Sequence, residues 1–435
     1  MRNTALLTAA ALVMRAVGML WQVWLAGRIG PAGIGLFGLV MSVGFLFSTL
    51  AVSGVRFAAT RLLSEELGRG REGSVGAVIF RAGMYALFFG CAASWLLYSC
   101  APAVGAGWIG DARTVPSLRL LALALPAGSV SSLLAGYFTA VGRVWKTAAE
   151  QLAEQLVRMA LTVFALSRTA GAPIETVCAA VVGAGAAADI LGAWAMAALY
   201  AADRRSHAAS GRRGRDLTPR LLRIALPLAL SAYARSALGT FRQLLVPKGL
   251  RLSGLSADAA LAGYGVINGM AMPLLLFPTC LPAALAELLV PALTRAQAAG
   301  DTDLLRGYVT RLLRDTFLLS LGAGAVFFLA ADMLGGLVYH SAAAGGFIRI
   351  LAPMTPFIYT DIITDGCLKG LGEMMRSMTY NVAEAALGLA LVWALLPRWA
   401  LAGYVFVLYV CEIFNFSLSV LRLHRVLGAA HVCLT

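Results

Sequence analysis

Apolar stretches of about twenty residues follow one another from one end of this chain to the other, separated by short polar breaks. Crossing the hydrocarbon core of a bilayer takes roughly 20 apolar residues of helix. A soluble fold has no interior large enough to hide such runs when they recur throughout the sequence. Of the 435 residues, 60% are hydrophobic and 13% charged, whereas soluble domains run about 45–50% apolar and 25% charged. The expected fold class is therefore all-α and integral to a membrane, with about twelve transmembrane helices. The apolar runs place them near 4–27, 33–55, 75–98, 117–141, 147–167, 173–200, 221–246, 258–286, 312–337, 346–369, 377–396 and 400–421. The first run is not read as a signal peptide. Arg15 interrupts it, and Trp21 to Ala26 carry it past signal-peptide length, so an uncleaved first span is expected.

Lysine and arginine counts set the expected orientation. With Arg2 in the cytoplasm, alternate loops collect about 22 cations on the cytoplasmic side and about seven on the other. The bias stays in phase through all the crossings, which places both termini in the cytoplasm. The most basic stretch, Asp203 to Arg223, divides six spans from six. The expected organisation is an N-terminal six-helix lobe (1–202), a basic cytoplasmic linker (203–220) and a C-terminal six-helix lobe (221–435). The linker reads as a topogenic segment that also touches anionic membrane lipid. This distribution accounts for the net charge of +14 without nucleic acid, which is not expected as a partner. Seven scattered cysteines and four distant histidines form neither a disulfide framework nor a metal site. No cofactor is expected.

Even numbers of spans per half imply parallel repeats with the pathway between them, and residue spacings agree. Arg15, Gln22 and Arg28 are matched by Arg235, Arg242 and Lys248, each 220 positions later, and Trp21 by Phe241 at the same offset. Phe37-Gly38 answers Tyr264-Gly265. Polar helix ends follow at 64–70 (SEELGRG) and 294–301 (TRAQAAGD).

Arg15 and Arg235 fall near the centres of their spans. An arginine there costs about 2.5–3.5 kcal/mol even on lenient insertion scales. Either each faces a buried acid or both face a water-filled cavity. Acids available for pairing are Asp189, Glu287, Asp361, Asp365, Glu384 and Glu412. Spacing favours the cavity, because Arg242 lies seven residues after Arg235, on nearly the same helix face, and Gln22 and Arg28 extend a matching stripe from Arg15. Glu150, Glu154 and Arg158 form an internally compensated stripe, with glutamate four residues before arginine. Asp361, Asp365 and Lys369 form a similar one. Asp189 is left as the unpaired acid of the first lobe, and Asp189, Asp361 and Asp365 are the candidates for ion or proton coupling. Prolines gather in the second half at positions 227, 273, 278, 282, 291, 353 and 356, where each invites a kink.

A paired cationic stripe suits an anionic headgroup, since guanidinium groups engage phosphate oxygens bidentately. A lipid-linked pyrophosphate sugar fits, its tail in lipid and its head in the cavity. No carboxylate pair in an outward loop, no Gly-rich phosphate loop and no metal motif points to an enzyme.

The stretch Leu222 to Gly249 (LRIALPLALSAYARSALGTFRQLLVPKG), with Tyr264 to Pro278 (YGVINGMAMPLLLFP) and LLVPALT from Leu288, closely resembles the stage V sporulation protein B group. That group belongs to the multidrug/oligosaccharidyl-lipid/polysaccharide (MOP) flippase superfamily. The opening MRAVGMLWQVWLAGRIGPAGIGLF is similar to the start of the same family. The stronger match covers roughly 219–300, a looser one 1–75, and the remainder matches in hydropathy. The resemblance implies a two-lobed, twelve-helix core working by alternating access, with Arg15 and Arg235 at positions equivalent to cavity arginines of lipid II flippases. Those flippases carry a further first-helix arginine where this chain has Trp21 and Gln22, and two C-terminal helices that this chain is expected to lack. The implied cargo is therefore a lipid-linked oligosaccharide in general, handled by a monomer, with Arg15, Gln22, Arg235 and Arg242 lining the cavity. The alternatives are a cation-coupled exporter of drugs or metabolites on the same fold, and a non-transporting scaffold for envelope synthesis.

Overall fold

A computed structural model describes the backbone of residues 2–69, 71–169, 171–205, 217–283 and 302–429, with positions 285, 286, 289 and 293; for residues 2–16 it describes the helical backbone alone. The Arg15 side chain, the linker core at 206–216, Glu287 and the polar helix end at 294–301 lie outside the described residues.

Every described regular element is helical. In chain order these are α1 (Arg2–Val52), α2 (Val55–Gly68), α3 (Val75–Ala103), α4 (Val115–Ala140), α5 (Val144–Arg168), α6 (Ile174–Arg205) and α7 (Leu217–Leu252). They continue as α8 (Ala257–Gly265), α9 (Met272–Leu276), α10 (Thr302–Leu329), α11 (Ala331–Tyr339), α12 (Ala342–Leu351), α13 (Thr355–Gly370) and α14 (Met374–Ala429). Eight stretches among the described residues are long and apolar enough to cross a membrane. Side chains such as Phe88, Trp95, Trp194 and Trp393 are exposed, the inverse of what water tolerates and the norm for lipid. The chain is a multi-pass membrane protein.

The two longest helices are each two rods joined at a break. In α1 the backbone turns at Gly30 (φ 71°, ψ 174°), directly before Pro31. Glycine accepts that φ without a Cβ clash, and the proline ring forbids the hydrogen bond that would carry the helix through. In α14 the break is at Ala400 (φ 47°, ψ −131°), three residues after Pro397. Prolines also mark the segment after α8. It passes through a π-helical stretch at Val266–Ala271, then α9 with Pro273, then a 3-10 turn at Phe277–Thr279 with Pro278.

Contacts gather the chain into two compact units, one of residues 1–10 and 36–244, the other of residues 11–35 and 245–435. These are not the sequential halves expected from the sequence. Residues 11–35 cluster with the second unit, and 221–244 with the first. Small residues and hydroxyls explain both exchanges. Within the first unit, a Cβ on Gly54 would lie 2.9 Å from the Ala225 carbonyl oxygen of α7, and Thr240 donates to the Ser42 carbonyl of α1 at 2.9 Å. Within the second, a Cβ on Gly265 would lie 2.9 Å from the Gly35 amide nitrogen and 3.1 Å from Ile34. Membrane helices approach closely where small residues meet. The rest of the first unit packs the same way, with Gly136 of α4 against the Arg56 carbonyl and Thr60 of α2, over a core that includes Leu62, Phe138, Met196 and Leu221.

Local geometry repeats between the halves at an offset of 230 positions. The Asp111 amide donates to the Gly105 carbonyl at 2.8 Å, and the Ser341 amide to Gly335 at 3.0 Å. Gly110 and His340, 230 apart, both hold positive φ. Asp111 and Ser341 each cap the helical turn that follows. At the far end of α4, the Arg143 amide reaches back to Phe138 at 2.8 Å across Gly142 (φ 72°). At the end of α13, Glu373 reaches Leu368 at 2.8 Å across Gly372 (φ 81°). What differs is the charge. Arg143 and Lys146 bind Asp203 of α6, which also accepts from the Tyr137 hydroxyl at 2.8 Å. Glu373 instead binds Arg422 of α14 at 2.7 Å. The residue after each turn is held in an ion pair with another helix, as a cation in the first case and an anion in the second.

Four outcomes follow. Gly265→Val should destabilise the protein in detergent by on the order of 2–3 kcal/mol through overpacking, read as a fall in melting temperature. Gly336→Ala, whose added Cβ would meet nothing within 4 Å, should leave it unchanged. Asp203→Ala, which removes the carboxylate shared by two cations, should cost on the order of 2 kcal/mol. The Glu373–Arg422 pair should tolerate exchange: Glu373→Arg with Arg422→Glu should melt closer to wild type than either single variant.

Candidate functional site

The α1 and α7 segments of the first unit border an open cavity of about 450 Å³. Along α7 it is lined by Ala232, Arg235, Ser236, Gly239, Thr240 and Gln243; along α1 by Gly38, Met41, Ser42, Phe45 and Thr49. Both sets step by three, four, seven and eight residues, the spacing of a single helix face. The cavity is therefore a slot between two helices of one unit, and the Thr240–Ser42 hydrogen bond fixes their separation at that level.

Arg235 stands at the midpoint of the 36-residue α7. Its side chain is exposed and lines the cavity. Among the described residues no carboxylate pairs with it, and no carboxylate lines the cavity. Two other helix cations of this unit are answered differently. Arg158 of α5 binds Glu154 on its own helix and Asp189 of α6, the latter at 2.5 Å. Arg220, at the start of α7, holds Glu66 at 2.6 Å and Glu65 at 2.7 Å from the end of α2.

Most hydroxyls of the cavity are already committed. Ser42 donates to the Leu39 carbonyl at 2.8 Å, Thr49 to Phe45 at 2.8 Å, and Thr240 to Ser42 at 2.9 Å. Beyond Thr49, α1 ends at Ser53, whose φ of 47° and neighbouring Gly54 turn the chain into α2. Two tyrosine hydroxyls brace that turn, Tyr85 at 2.9 Å and Tyr233 at 2.5 Å from the Ser53 oxygen.

Of the residues singled out from the sequence, the structure brings Arg235 to the cavity. Gln22 is half-buried and belongs to the second unit, as does Arg28, whose guanidinium lies 5.7 Å from the Trp24 ring centroid. Arg242 is half-buried and absent from the lining, its place there taken by Gln243. Seven residues fall about 20° short of two full turns. Arg235 sits at one edge of the lining face, so that shortfall carries Arg242 past the edge.

The acids differ from expectation at one point. Asp189 is not unpaired, since it bonds Arg158 across the α5–α6 contact. Glu150 lies beside this group, buried, with one oxygen lacking a hydrogen-bond partner. Glu154 and Asp189 thus share one guanidinium, with Glu150 next to them. In the second unit Asp365 pairs with Lys369, as the four-residue spacing predicts, and also accepts from Ser377. Asp361 accepts from the Asn415 amide at 2.9 Å. Sequence reasoning did not reach the α1 wall of the cavity, nor Ser236 and Gln243. The one available signal was their position on the same helix face as Arg235.

The polysaccharide biosynthesis protein family matches residues 1–297, more than half of the chain, and the MatE family matches residues 249–394. Stage V sporulation protein B of Bacillus subtilis (strain 168) is 26% identical over 408 residues, covering 92% of this chain and 78% of its own length. Two solved structures are similar in fold. The lipid II flippase MurJ in an inward closed conformation superposes with a TM-score of 0.74 at 9% identity, over 98% of this chain and 90% of that one. An inward-facing multidrug resistance MATE family transporter of the MOP superfamily superposes with a TM-score of 0.71 at 16% identity, over 94% of each chain. The fold is that of the MOP superfamily, and the chain belongs to the polysaccharide biosynthesis protein family.

Proposed function

We propose that this protein is an alternating-access flippase of the cytoplasmic membrane that moves a polyprenyl-pyrophosphate-linked saccharide, its anionic headgroup received at Arg235. Coupling falls to acids outside the cavity lining, Asp189 in the first unit and Asp361 and Asp365 in the second.

The observation that carries this reading is the state of Arg235: a guanidinium at mid-helix, exposed to a cavity and matched by no carboxylate among the described residues. An arginine held there without an acid needs water or an anion, and a planar five-donor fork is suited to phosphate oxygens. A cavity serving a cationic drug needs a carboxylate in its wall, and the lining residues include none. The relatives' names fit the same reading, one of them a lipid II flippase.

Arg235→Ala should lower translocation of a labelled polyprenyl-pyrophosphate oligosaccharide in proteoliposomes by about tenfold or more, the value of a charge-assisted hydrogen bond. Arg235→Lys should keep part of the activity, because it retains charge but not the fork. Full transport by Arg235→Ala at normal abundance would refute the reading. Full complementation of a deletion strain by a transport-dead variant would point to a scaffold instead.

A further inference from the structure

Ser236 stands apart from every other hydroxyl in the cavity. It is 4% exposed, it lines the same slot as Arg235, and its oxygen has no hydrogen-bond partner. Serine within a helix normally donates to the carbonyl three or four residues back. Ser42 and Thr49 of this cavity do so, and Thr240 donates across to α1 instead. Leaving a buried hydroxyl unmatched is unfavourable. A bound acceptor within reach of the hydroxyl removes that penalty.

The neighbours of Ser236 define what that acceptor is. Arg235 precedes it in sequence and brings a positive charge to the same cavity. Gly239, three residues on, lines the slot, and a Cβ built there would meet nothing within 4 Å. The space beside Ser236 is therefore open for want of a side chain. Gln243, exposed one turn further, adds an amide that both donates and accepts. The opposite wall is of another character: Phe45 and Met41 are exposed, and Ser42 and Thr49 have their hydroxyls turned to backbone. One wall is polar and cationic, the other apolar.

We infer that Ser236 is a second phosphate ligand, placing one oxyanion oxygen between its hydroxyl and the Arg235 guanidinium, in the clearance left by Gly239. The first apolar unit of the lipid packs on Phe45 and Met41. The ligand class is a phosphate-bearing isoprenoid amphiphile rather than a free anion. This inference rests on the reading of Arg235 as the headgroup site and adds to it the residues that select phosphate on a lipid.

The test uses the full-length protein in detergent micelles with two probes, farnesyl pyrophosphate and inorganic pyrophosphate, and reads binding by calorimetry alongside melting temperature. Wild type should bind farnesyl pyrophosphate more tightly than inorganic pyrophosphate. Ser236→Ala should weaken farnesyl pyrophosphate binding about tenfold, and Ser236→Thr should recover most of it. Gly239→Leu should abolish binding without lowering the melting temperature, because its side chain enters open space. Phe45→Ala should narrow the difference between the two probes. Should Arg235→Ala weaken binding while Ser236→Ala and Gly239→Leu bind as wild type, the phosphate-ligand assignment falls and the headgroup reading stands. Should wild type bind neither probe, or Arg235→Ala bind as wild type does, both fall. Equal affinity for the two probes would overturn the lipid wall.

Discussion

A guanidinium halfway along a membrane-spanning helix has to be answered by something, and how it is answered organises this protein. Hydrocarbon offers no counter-charge, so an arginine at that depth persists only beside an acid or beside water. The first unit contains both solutions. Arg158 is closed off by Glu154 and Asp189. Arg235 faces a cavity whose lining holds no carboxylate. The first arrangement ties α5 to α6. The second keeps a charge available, and it requires the surrounding helices to hold a slot open rather than pack it shut.

The helices that hold the slot open come from different halves of the chain. The cavity lies between residues 38–49 and 232–243, both in the first unit. That pairing is possible because α7 packs with the first unit, fixed by the close approach of Gly54 to Ala225 and by Thr240 to Ser42. Hydrogen bonds at this level are made to backbone carbonyls, which have no alternative partner in lipid. The hydroxyls of Ser42, Thr49 and Thr240 are therefore structural, and the slot's chemistry narrows to Arg235, Ser236 and Gln243.

The all-helical membrane fold was legible because it depends on apolar run length alone. The breaks were legible too: the expected span ends at 27 and 33 bracket Gly30 and Pro31, and those at 396 and 400 bracket Pro397 and meet Ala400. Unit membership was not, since hydropathy reports that a helix is apolar and not which helix it meets. A handful of glycines decide that, and their partners are far away in sequence. The same limit explains Asp189. The four-residue rule pairs Arg158 with Glu154 on one helix, but the second partner lies 31 positions away on another. Arg235 was readable as a charge in an apolar run. Ser236 was not, because a serine in such a run ordinarily satisfies itself against its own helix.

The duplicated segments show which features this fold holds fixed and which it lets vary. Gly142 and Gly372, 230 positions apart, hold the same left-handed turn with the same backbone bonds, because only a residue without a Cβ enters that turn at no steric cost. The residue after the turn needs a partner of opposite charge but no particular sign, and its sign differs, Arg143 with Asp203 in one half and Glu373 with Arg422 in the other. Backbone geometry is constrained by sterics and survives duplication, whereas charge placement is constrained only by pairing and drifts. An unpaired charge has no such freedom. Among the described residues no carboxylate lines the cavity that Arg235 faces, so no partner there compensates a reversal of its charge.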